Sequence, residues 1–98
     1  MKLENKICVV TGGAMGNGLG VVKVFLKYGA TVAVLDYDEK VKTMSQEYGD
    51  KVIGYHVDIR DSEKVKECIN DLVQKYDHID VLVNNAGVAR LDTFENMS

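Results

Sequence analysis

Ile7-Cys8-Val9-Val10, followed by Thr11-Gly12-Gly13-Ala14-Met15-Gly16-Asn17-Gly18, is the stretch on which the reading of this chain turns. An apolar run, a glycine-rich turn and an amphipathic segment spell strand, turn and helix. That arrangement holds a dinucleotide pyrophosphate. Backbone N–H groups at a helix N-terminus face the phosphates, and the helix dipole favours negative charge there. Gly12, Gly16 and Gly18 carry no Cβ, so the chain can turn tightly and come close to a ligand. A ligand-free strand–helix turn is the alternative for these glycines. The nucleotide reading gains weight downstream, where Asp36 ends the next apolar run, Thr31-Val32-Ala33-Val34-Leu35. It stands at roughly the spacing expected of an acid that binds an adenosine ribose.

Outward from that stretch, apolar runs alternate with helical periods. Strands are expected at Ile7–Thr11, Thr31–Asp36, 51–57 and Val81–Asn84. The first helix begins near Gly16 or Asn17, carries Leu19, Val22, Phe25 and Leu26 on one face, and closes at Gly29. A short second helix over 39–47 sets Val41, Met44 and Tyr48 at helical spacing, and Gly49-Asp50 breaks it. Asp61 or Ser62 caps a third helix to about Tyr76, with Val65, Ile69, Leu72, Val73 and Tyr76 on one stripe. Strands rich in Val, Ile and Leu belong to a parallel sheet covered on both faces. Right-handed crossovers give strand order 3-2-1-4, with the first two helices on one face and the third on the other. The expected class is α/β: a Rossmann-like parallel sheet, the incomplete first half of a doubly wound fold. The order reverses between strands one and four, so a ligand belongs at their carboxyl ends, where 12–18 and 85–87 meet.

The chain has 98 residues, 46% hydrophobic and 28% charged, with a net charge of −3. It is one domain at most, with no basic excess to argue for nucleic acid. No apolar stretch approaches the ~20 residues of a membrane span, and the charged lead of residues 1–6 argues against a signal peptide. Cys8 and Cys68 are isolated, as expected of reduced thiols in a cytoplasmic protein. His56 and His78 lack metal spacing and read as a strand residue and a solvated loop residue. Gly13 and Gly20 are expected to serve packing.

The glycine pattern is Thr-Gly-x-x-x-Gly-x-Gly; Val21 breaks the commoner Gly-x-Gly-x-x-Gly. Together with Asn84-Asn85-Ala86-Gly87 after the fourth strand and Asp58 after the third, it resembles the N-terminal half of the short-chain dehydrogenase/reductase family. The resemblance runs through essentially the whole chain. Asn17 departs from it, since the family usually has Ile or Leu there. The resemblance implies NAD as cofactor, held by Gly12, Met15, Gly16, Asn17, Gly18, Asp36, Tyr37, Asp58, Ile59, Asn85, Ala86 and Gly87. In it, Asp58 accepts from the adenine amino group and Ile59 contributes its backbone. Asn85, Ala86 and Gly87 lie against the cofactor ribose, while Asn84 braces neighbouring strands. Simpler readings stay open: Asp36 as a solvated strand end, Tyr37 as a surface tyrosine, and Asp58 as an Asx turn before the third helix. Asp36 would repel a 2′-phosphate, and no Arg or Lys stands in 11–20 or at 37 to welcome one, which favours NAD over NADP.

Hydride transfer in that family depends on a Tyr-x-x-x-Lys pair and an upstream Ser. Here the residues four beyond the tyrosines are Val32, Val41, Val52, Ile59 and Asp80, and Ser45, Ser62 and Ser98 are not placed for the role. The expectation is therefore a dinucleotide-binding segment over 1–98, ending before the catalytic half of an oxidoreductase that interconverts an alcohol and a carbonyl. The small-molecule substrate would be held by the other half, and the full-length parent would be a homo-oligomer. A non-catalytic NAD-binding module is the alternative, and a methyltransferase-like domain a third reading that the Asn-Asn-Ala-Gly motif opposes. Strand four is expected to form an exposed edge, with apolar side chains of strands one and four partly uncovered and the isolated chain marginally stable.

Overall fold

The computed structural model describes residues 2–85. Strand β1 (Ile7–Thr11) leads through the glycine turn into helix α1 (Gly16–Lys27). Strand β2 (Thr31–Asp36) follows, then a 3-10 helix (Glu39–Thr43) that runs into α2 (Met44–Tyr48). Strand β3 (Val52–His56), helix α3 (Ser62–Tyr76) and strand β4 (Val81–Asn84) complete the described chain. All strand pairs are parallel and the order is β3-β2-β1-β4, as the crossover rule requires.

Alternation along the strands feeds two cores. Cys8, Val10, Val32 and Val34 face α1 and the 3-10/α2 segment, packing with Val22, Val41 and Met44. Ile7, Val9, Ala33 and Leu35 face the other way, onto Val65, Ile69 and Leu72 of α3. Two expectations change here. Every residue of β1 is buried, because β1 is an inner strand with helices over both faces; only β4, one edge of the described sheet, is half-buried throughout. The second helix is not continuous: Asp38 accepts from the N–H of Lys40 at 2.9 Å and starts a tighter 3-10 turn before α2.

Smaller corrections follow from packing. Val73 lies at the margin of the α3 stripe and stays 38% exposed. A Cβ on Gly13 would press on Val10, Val22 and Val34, whereas one on Gly20 would meet open space, so only the first glycine serves packing. His78 is exposed in the loop before β4, as expected, and also has a partner: its Nε2 lies 2.9 Å from Asp80 Oδ2, and the same carboxylate accepts from the N–H of Ile7 at 2.8 Å. That backbone bond, chiefly, holds the Asp80 carboxyl below the ordinary carboxylate range.

Candidate nucleotide-binding site

The carboxyl ends of β1 and β4 bring the glycine turn and Asn85 together. Thr11, fully buried, donates from Oγ1 to Asn84 Oδ1 at 2.9 Å and accepts from the N–H of Asn85 at 3.1 Å. Asn85 Nδ2 in turn reaches the Gly12 carbonyl oxygen at 3.4 Å. Gly18 is buried under that carbonyl; a Cβ there would collide with it and lie 2.7 Å from Asn85 Nδ2. Gly18 is therefore needed first by the turn itself. Gly16 differs: its φ of +64° suits glycine, and nothing lies within 4 Å of where its Cβ would stand.

Helix α1 begins without a cap. Met15 has extended backbone (φ −158°, ψ 170°) but makes no side-chain cap, and no acid stands in the first turn. The N–H groups of Gly16, Asn17 and Gly18 precede the first helical bond, that of Leu19 to the Met15 carbonyl. Gly16 and Asn17 are exposed, and Met15 is 51% exposed. This is a helix N-terminus with donors open to an anion.

Asp36 closes the other flank, half-buried at the end of β2. Its Oδ2 accepts from the N–H of Ala14 and its Oδ1 from the N–H of Asp38, each at 2.9 Å. Next to it, Tyr37 is 69% exposed and stacks on His56, with ring centroids 5.7 Å apart. His56 Nε2 lies 2.9 Å from the Tyr37 carbonyl oxygen. At the end of β3, Asp58 accepts from the N–H of Arg60 at 2.9 Å and from its guanidinium at 2.8 and 3.1 Å. The Arg60 side chain, followed by its N–H, holds the Asp58 carboxyl down to about 2. Asp58 thus forms the Asx turn that leads to α3, while Ile59 packs its side chain against the α3 core. Ala86 and Gly87 lie outside the described residues.

Sequence reasoning passed over two cations. Arg60 stands two residues after Asp58, a spacing at which an Asx turn could have been read. Lys40 carries its Nζ to within 4.0 Å of Met15 Sδ, beside the turn, a pairing across 25 positions that no local pattern signals. Among the described residues no group of His, Cys, Asp and Glu could hold a metal ion, and no helix is long and apolar enough to cross a membrane.

A family model described as short chain dehydrogenase matches residues 6–98. A 3-oxoacyl-[acyl-carrier-protein] reductase of Thermotoga maritima is 42% identical over 95 residues, which is 92% of this chain and 38% of that protein. A 3alpha-hydroxysteroid dehydrogenase of Mediterraneibacter gnavus is 34% identical over 102 aligned positions, covering 98% of this chain and 41% of its own length. Among solved structures, a 3-ketoacyl-(acyl-carrier-protein) reductase from Brucella melitensis, complexed with NADH, superposes with a TM-score of 0.77 at 30% identity; 83% of this chain matches 34% of that one. A short chain dehydrogenase from Bacillus anthracis gives 0.78 at 26% identity, over 85% of this chain and 35% of that one. The chain thus spans about two-fifths or less of the length of these relatives.

Proposed function

The chain belongs to the short-chain dehydrogenase family, and from that premise we propose that it holds the adenosine and pyrophosphate half of NAD in an oxidoreductase that interconverts an alcohol and a carbonyl. The observation that carries this reading is the uncapped start of α1 at the β1/β4 switch point, with open space over Gly16. A nicotinamide dinucleotide supplies hydride acceptance and donation; this chain's residues bind and orient it. The amides of Gly16, Asn17 and Gly18 would face the pyrophosphate. Asp36 keeps lone pairs for ribose hydroxyls, because a carboxylate accepts about four hydrogen bonds and two are used. Tyr37, Asp58 and the Ile59 backbone would border the adenine, and Asn85 the ribose nearest the turn.

Asp36 supports NAD over NADP, since a 2′-phosphate would meet its charge. Lys40 beside Met15 works against that preference, but it is an exposed ammonium and weighs less than the half-buried carboxylate. Calorimetry should find NAD bound more tightly than NADP, and equal affinities or the reverse order would overturn the assignment. Asp36→Ala should narrow the gap, the lost bonds to a charged group being worth about 1.5–3 kcal/mol. None of the five tyrosines in residues 1–98 has lysine four residues on, the pair on which hydride transfer in the family depends. Residues 1–98 alone are therefore expected to bind NAD without forming NADH from any alcohol.

A further inference from the structure

We propose that Asp36 is a positioning residue for the glycine turn, so that the acid expected to read the ribose also sets the path of the amides that meet the pyrophosphate. The consequence for cofactor binding rests on the nucleotide-site reading above, but the positioning itself stands on geometry. Asp36 Oδ2 accepts from Ala14 N, inside the turn, and Oδ1 accepts from Asp38 N, beyond β2. One side chain at the end of β2 ties down a turn 22 positions before it in sequence. Ala14 is only 4% exposed, so its N–H has little access to water, and a buried donor without an acceptor is costly.

The turn has few other side-chain restraints. Gly12 and Gly16 sit at φ +66° and +64°, conformations that glycine reaches without a Cβ to fix them, and Met15 caps nothing. On the far side the turn is held by the bond from Asn85 Nδ2 to the Gly12 carbonyl, long at 3.4 Å, and by the bond from Gly12 N to the Leu35 carbonyl at 2.8 Å. Neither reaches 13–15. Asp36 alone among the described side chains bonds the backbone there. A substitution that removes the acid to admit a 2′-phosphate would therefore release the turn that grips the pyrophosphate. Relaxed cofactor choice and weakened binding would come together.

Amide exchange in the 98-residue chain, without ligand, reads the positioning directly. In Asp36→Ala the Ala14 amide should exchange roughly tenfold faster or more, while the amides of Val10 and Val34 in the flanking strands keep their rates. Asp36→Asn serves if the alanine variant does not fold. A carboxamide offers one acceptor oxygen in place of two, so either the Ala14 or the Asp38 amide must lose protection. Unchanged exchange at Ala14 in the alanine variant, or at both amides in the asparagine variant, overturns the proposal. Calorimetry with ADP and with adenosine tests the consequence: Asp36→Ala should weaken ADP more than adenosine, and equal losses would sever turn from ribose. Faster Ala14 exchange in a protein whose wild type binds neither probe would leave the positioning standing and remove the nucleotide-site reading instead.

Discussion

Helices α1 and α3 both begin at the carboxyl edge of the sheet, yet α3 supplies its own anion there and α1 does not. Asp61 caps α3, its carboxylate accepting from the N–H of Lys64 at 3.2 Å, with Glu63 in the first turn. The 3-10 helix after β2 is likewise closed by Asp38. At α1 the corresponding position is Met15, and the first turn is Gly16-Asn17-Gly18. Every helix start leaves N–H groups without partners. At α1 the chain withholds its own carboxylate, and the neighbouring acid, Asp36, bonds the turn rather than the helix. The same edge thus carries one helix start that its own chain leaves uncapped and one that its own carboxylate caps.

The largest effect should come from filling the α1 start. In Gly18→Val the new Cβ meets the Gly12 carbonyl oxygen, which is backbone and cannot swing aside. Nucleotide binding should be lost altogether, with a stability loss of about 1–3 kcal/mol from overpacking. Gly16→Val meets no neighbour but must hold a branched side chain at φ +64°. It should keep more of its fold and still lose NAD. Thermal melts and calorimetry separate the two, and near-wild-type NAD affinity in either variant would mean that the phosphate-facing turn lies elsewhere.

A smaller effect should follow from making α1 resemble α3. Met15 already has the extended backbone of a cap position. Met15→Asp should therefore stabilise the chain by about 1 kcal/mol, the usual worth of a cap. Its carboxylate would also compete with pyrophosphate for the same amides and weaken NAD binding about tenfold. The mirror change, Asp61→Ala, should cost a similar stability and leave NAD affinity unchanged. If Met15→Asp binds NAD as well as wild type does, the open amides of α1 are not the anion site.

This contrast was half visible in the sequence. Asp61, and its place before an apolar stripe, is a local signal, and so is the glycine cluster after Ile7–Thr11. Strand bounds at Ile7–Thr11, Thr31–Asp36 and Val81–Asn84 followed from uninterrupted apolar runs ended by polar residues. What stayed hidden depends on contacts between distant positions. Gly54, inside β3, lets the Val41 carbonyl of the 3-10 helix lie against the strand. The double role of Asp36 and the approach of Lys40 to Met15 likewise require the β2 and 3-10 segments to be folded against the turn. Periodicity reports which face a residue occupies, not which backbone group its carboxylate meets.

The smallest expected effect concerns acid. The turn before α3 is held by a carboxylate that can be titrated. Asp58 accepts three bonds from Arg60, and its carboxyl is held down from 3.8 to about 2, chiefly by the arginine side chain. Because the folded value is the lower one, the stabilisation is fully present above about 3.8 and is lost as the pH falls through about 2. Arg60 is exposed and Asp58 only half-buried, so the gain is local, holding the turn before α3 rather than the whole sheet. An NMR titration of the Arg60 amide should show its midpoint near 2. Arg60→Ala removes the guanidinium but keeps the N–H, so the Asp58 midpoint should climb part of the way back toward 3.8. A midpoint that does not move would mean that the arginine side chain is not what charges this end of the sheet, and the contrast between the two helix starts would then rest on Asp61 alone.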